Sequence, residues 1–83
     1  MWYVYIIKSL KNRWYYVGST NKLEERLKKH NTRKVLSTKH YVPLKLVFTK
    51  KFNSEKEARA YENKIKKKRI EKEKIIRKIE NKN

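Results

Sequence analysis

The run Trp2-Tyr3-Val4-Tyr5-Ile6-Ile7-Lys8 near the start of the chain is built almost wholly of aromatic and β-branched residues. Such residues favour a pleated, half-buried surface, so the run reads as a strand. Side chains alternate along a strand, which sends Trp2, Val4 and Ile6 to one side and Tyr3, Tyr5 and Ile7 to the other. Both faces are therefore apolar. A strand of this kind needs cover on both sides, from helices on both or from a helix on one and a ligand on the other. Ser9-Leu10-Lys11-Asn12 is polar enough to turn the chain, and Arg13 to Val17 reads as a second strand, giving an antiparallel hairpin. Gly18, the only glycine in the chain, closes that strand at a point where backbone freedom or close approach is expected.

Helical patterns follow. Asn21 with Glu24 three residues on resembles an N-cap and its reciprocal partner. Leu23, Leu27 and His30 recur at i, i+4 and i+7 and mark one face. Arg26 and His30 are four apart on the same helix and so are neighbours, and Asn31 is a natural stop. The stretch 32–43 is either a short helical turn or a loop. Pro43 precedes a third strand, Leu44 to Phe52. Ser54 and Glu57 form a capping box for a long basic helix whose apolar stripe is Ala58, Tyr61 and Ile65. Ile70, Ile75, Ile76 and Ile79 support a final helix, separate from the last or continuous with it through a bend. The expected fold is α+β: a three-stranded antiparallel sheet, a hairpin plus one strand, flanked by helices in the order β-β-α-(α)-β-α-α.

Eighty-three residues make a single domain, 1–83, with a thin core resting on two Trp, six Tyr and two Phe. The net charge of +17 attracts polyanions and makes copies of the chain repel, which favours a monomer bound to nucleic acid. From Arg26 to Ser54 there are nine Lys or Arg and no acid, so the basic residues there are unopposed. The C-terminal third mixes 12 basic residues with six Glu, and its charge is partly ordinary helix surface. No apolar run approaches the roughly 20 residues of a membrane span. The N-terminus has neither a basic leader nor a small-residue cleavage site, so a cytoplasmic protein is the default.

The inventory of reactive groups is short. All eight acids are Glu, which disfavours paired-aspartate two-metal sites. There is no Cys and only two His, His30 and His40, which excludes a zinc site of the His-Cys type. One glycine cannot make a phosphate-cradling loop, and a Ser-His-Asp triad lacks its Asp. A basic surface remains, with clustered tyrosines, one helix bearing Arg and His, and scattered glutamates.

Taken together, these residues resemble the GIY-YIG nuclease superfamily. Tyr3-Val4-Tyr5 stands at the first motif, and Tyr16-Val17-Gly18 stands at the second, with Tyr16 eleven residues after Tyr5. The segment from Gly18 to Asn31 resembles the next region, where Arg26 and His30 match the functional Arg and His. Glu57 to Lys66 resembles the metal-site helix, with Glu62 as the ligand. The likeness extends over nearly the whole chain and is greatest to small stand-alone bacterial members. Two departures stand out: Tyr3 replaces a frequent glycine, and the first Asn after the metal-site helix is Asn81, far out in the tail.

The resemblance implies a metal-dependent endonuclease that hydrolyses phosphodiesters, most simply of DNA, with selection by structure and a place in repair or recombination. Its catalytic residues would be Tyr5, Tyr16, Arg26, His30 and Glu62. Glu62 would hold one Mg²⁺ or Mn²⁺, and Arg26 would grip non-bridging oxygens through its planar fork. A tyrosine, Tyr5 ahead of Tyr16, would take the proton of the attacking water. Only about one phenol in a thousand is ionised at neutral pH, so the site must ease that ionisation. Lys28, Lys29, Lys66 and Lys67 are expected to border the nucleic-acid path. Two other classes stay open: a non-catalytic nucleic-acid-binding module of the same fold, and a basic protein associated with ribosomes.

Overall fold

The structure is a computed structural model and describes residues 1–81. Its centre is β1 (Trp2–Ser9), flanked in an antiparallel sheet by β2 (Tyr15–Thr20) on one side and β3 (Leu44–Phe52) on the other. Three helices complete it: α1 (Leu23–Asn31), α2 (Glu55–Lys67) and α3 (Arg69–Asn81), with a 3₁₀ turn at Lys39–Tyr41. The α+β class and the element order agree with the sequence reading. Among the described residues no helix is long and apolar enough to cross a membrane.

The two-faced character of β1 explains the layering. Val4 and Ile6 are buried with Val17, Ala58 and Ile65 beneath α2. Tyr5 and Ile7 are buried on the opposite face with Val42 and Leu44, covered by Leu23 and Leu27 of α1. Pairing of Tyr5 with Gly18 and of Val4 with Ser19 fixes which β2 residue shares which face. Against β3 the ladder shifts between Ile6 and Ile7, where a bulge sits beside Val47.

Several local expectations shift. The second strand starts at Tyr15, two residues later than expected. The Ser9 hydroxyl accepts from the amides of Lys11 (3.2 Å) and Asn12 (3.3 Å) and donates to the Tyr41 carbonyl (2.7 Å), which lengthens the turn. Trp14 instead stacks on Tyr41, with centroids 3.8 Å apart and planes 5° from parallel. Asn21 does not cap α1: the preceding residue is Lys22, and Thr20 Oγ1 accepts the Lys22 amide at 3.0 Å. Asn31 does end that helix, and its amide exchanges two bonds with the Leu44 backbone (3.0 and 2.7 Å), tying α1 to the start of β3. Ser54 caps α2 as expected, accepting from the Glu57 amide. The chain breaks between α2 and α3 at Lys68, whose backbone is extended. The break folds Ile75 back toward the core and brings Glu80 to Arg13 (2.8 Å) and Tyr15 (2.7 Å), whereas Ile70 is left exposed.

Candidate active site at the β2 edge

β2 is an edge strand, and consecutive residues on it face opposite layers. Tyr16 and Gly18 look toward α1, while Ser19 looks toward α2. The candidate residues therefore meet around this edge from both sides of the sheet.

On the α1 side, Tyr5 is 1% exposed and its phenol lies 2.9 Å from His30 Nε2. His30 is fully buried, and its Nδ1 is 2.8 Å from the Thr38 hydroxyl. Thr38 donates in turn toward the Val35 carbonyl at 3.4 Å. This order assigns the imidazole proton to Nδ1 and leaves Nε2 to accept from the phenol. Burial, with the Arg26 charge adding to it, lowers the His30 pKa to about 4, so the ring is neutral at physiological pH. Burial also raises the Tyr5 pKa, against the opposing pull of the Arg26 guanidinium. Arg26 faces both phenols, Tyr5 first and Tyr16 second, and its own pKa is raised by them. The rings of Tyr16 and His30 are 5.2 Å apart and those of Tyr5 and Tyr16 6.5 Å apart.

Gly18 makes this cluster possible. Its backbone does not adopt positive φ. A β-carbon there would instead lie 2.5 Å from the Tyr5 hydroxyl and 2.7 Å from Tyr5 Cζ, inside any real contact distance. The glycine is required by close approach.

On the α2 side, Glu62 is largely covered, with 14% of its side chain exposed. Ser19 donates to one carboxylate oxygen at 2.5 Å, and the Lys66 ammonium pairs with the other at 2.6 Å. The same ammonium lies 5.8 Å from the centroid of the Tyr16 ring, which joins the two halves of the site.

All five expected catalytic residues thus converge, and Lys66, expected along a nucleic-acid path, lies at the surface with its ammonium on Glu62. Lys28, Lys29 and Lys67 stay on the exposed surface, and no acid pairs with them among the described residues. The expectation that the proton goes to Tyr5 meets an obstacle: burial disfavours its phenolate, and its proton is committed to His30. Tyr16 is half-exposed. Two contributors escaped the sequence reading. Ser19 was recoverable from strand alternation, since it must face away from Tyr16 and Gly18. Thr38 has no local signal, because a loop delivers it.

A divalent ion fits the donor set in one manner only. Among the described residues no three His, Cys, Asp or Glu side chains come together. Glu62 alone supplies an anionic oxygen, which suits Mg²⁺, an ion that keeps most of its waters and takes one or two carboxylates plus substrate phosphate.

Comparison with known proteins points to one family. The family model of the GIY-YIG catalytic domain matches residues 1–78. A UPF0213 protein from Bacillus halodurans, solved by solution NMR, is similar at 34% identity and a TM-score of 0.56, over 92% of this chain and 83% of that one. No curated protein matches the chain significantly.

Proposed function

The chain belongs to the GIY-YIG nuclease family, and from that premise we propose that it is an endonuclease cutting phosphodiester bonds of DNA with one Mg²⁺ or Mn²⁺ held by Glu62. The observation that carries this reading is the meeting of Tyr16, Arg26 and Glu62 at one sheet edge, reachable from both layers. A phosphodiesterase must neutralise charge on a five-coordinate phosphate and deprotonate a water. The ion, when bound, would supply Lewis-acid stabilisation of the charge that develops on the phosphate.

The remaining work falls to the chain. Arg26 binds the non-bridging oxygens, a task for which a planar fork surpasses a point charge. Tyr16 takes the water proton, because it is the phenol that solvent reaches and whose proton is not already given to His30. Tyr5, His30 and Thr38 form a buried chain of hydrogen bonds that holds Arg26 in place. Lys28, Lys29 and Lys67 supply phosphate contacts that position the strand without reading bases. The same proposal takes the protein to act as a monomer in the cytoplasm, on branched or flapped structures in repair or recombination.

One observation favours a second reading, nucleic-acid binding without turnover: both Glu62 oxygens already have partners. A cleavage panel separates the two. Branched, flapped, single-stranded and duplex DNA, and matched RNA, are incubated with Mg²⁺ or Mn²⁺. Cleavage that Glu62→Ala abolishes while binding persists supports the nuclease, and intact substrates throughout would leave only the binding module.

A further inference from the structure

The Glu62–Lys66 pair differs from the other intrahelical pairs of this chain. Arg59–Glu55 exposes 60% and 50% of its side chains and Arg69–Glu73 exposes 90% and 56%, so both are ordinary solvated pairs. Glu62 is 14% exposed, its second oxygen is held by Ser19, and its ammonium partner leans toward the Tyr16 ring. The carboxylate assigned to the metal is thus already neutralised by a cation of the chain itself. An ammonium and a divalent ion on the same carboxylate repel each other, so each weakens the other's hold on it. Lys66 is 46% exposed and sits on a flexible four-carbon stem, so it can swing outward when a stronger anion is offered. A nucleic-acid phosphate arriving beside Arg26 and Tyr16 is such an anion.

We propose that Lys66 is the resident counter-ion of Glu62 and a positioning residue for the reaction: a substrate phosphate draws it away, and only then does Glu62 bind a divalent ion well. The proposal rests on the reading of Glu62 as the metal ligand. Metal and nucleic acid then bind with positive cooperativity, and linkage makes the effect reciprocal. The ion is loaded with the substrate, and the free protein stays largely without it.

The test is Mn²⁺ titration of the full chain, followed by the electron paramagnetic resonance of free Mn²⁺, for the wild type, Lys66→Met, Lys66→Gln and Glu62→Gln. Lys66 lies at the surface, and Met keeps the packing of its stem. Both Lys66 variants are expected to bind Mn²⁺ about tenfold more tightly than the wild type without nucleic acid, within the usual range of site coupling. In a companion measurement, the anisotropy of a labelled phosphorothioate oligonucleotide reports its affinity with and without Mn²⁺. Relative to Glu62→Gln, the wild type should gain about tenfold from Mn²⁺ and Lys66→Met should gain less, since only direct contact of the ion with phosphate remains. If Lys66→Met and the wild type bind Mn²⁺ equally while Glu62→Gln binds worse, the counter-ion role is overturned and the metal reading stands. If Glu62→Gln binds Mn²⁺ as the wild type does, both fall.

Discussion

The Tyr5 phenol reaches 2.9 Å to His30 Nε2 across 25 residues of chain, and neither side chain is open to solvent. The bond therefore joins the central strand to the last turn of α1 and takes the only free lone pair of a neutral imidazole. Removing one partner leaves the other buried and unsatisfied, and the cost is the full desolvation of that group. Tyr5→Phe is expected to lower stability by about 1–3 kcal/mol, measured by urea unfolding, with cleavage reduced indirectly through Arg26.

The same burial makes stability depend on pH. Above pH 6.5 His30 is neutral in both folded and unfolded chains. As pH falls from 6.5 to about 4, the unfolded chain takes up a proton that the folded chain refuses, so this contribution to stability is lost across that window. Unfolding midpoints at pH 7, 5.5 and 4.5 should fall more for the wild type than for His30→Gln. Equal slopes would mean that His30 is not held neutral.

Gly18→Ala tests the close approach. The new methyl group would meet the Tyr5 hydroxyl at 2.5 Å, so the ring must shift and its bond to His30 must break. Overpacking of this kind costs about 1–3 kcal/mol. Calorimetry should show a lower melting temperature than for the wild type, and an unchanged value would show that the ring has room to move.

Tyr16→Phe separates chemistry from architecture. Loss of a general base lowers turnover by about 10²–10⁴-fold. Binding of uncleaved DNA and the unfolding midpoint should stay near wild type, because Tyr16 is only half-buried and the ring itself is kept. If instead Tyr5→Phe shows the larger fall in turnover at matched stability, the proton belongs to Tyr5.

Charge reversal at Lys28, Lys29 and Lys67 addresses the nucleic-acid path. Each residue that contacts phosphate should contribute about one to the slope of log affinity against log salt. Reversal at one that leaves both affinity and slope unchanged removes it from the path.

The sheet was legible in the sequence because Val4, Ile6, Tyr5 and Ile7 are apolar on both parities of one strand, which allows only a central, doubly covered position. The long α2 was legible from Ser54 and its stripe Ala58, Tyr61 and Ile65. Less visible was the start of β2, because the side chain of Ser9 reorganised the turn through long-range contact with Tyr41. The break at Lys68 had no glycine or proline to announce it; contacts of Ile75 and Glu80 with distant residues reward it. In the site, which residues would meet was readable from motif order, but their mutual contacts were not. Burial of Tyr5 and capture of Glu62 by Lys66 depend on neighbours brought in by the fold.

The placement of Tyr16 and Gly18 on one side of β2 and Ser19 on the other has an engineering consequence. The turn at 10–13 lies outside the strand pairing, so an insertion there disturbs its own bonds to Ser9 and Glu80 but leaves the parity of β2 alone. Deletion of one residue inside β2 reverses parity: the hydroxyl meant for Glu62 would point at Tyr5, and the phenol at α2. Odd-numbered changes within the strand should abolish both halves of the site together, whereas changes in the turn leave them intact, so this short strand acts as a frame-sensitive ruler.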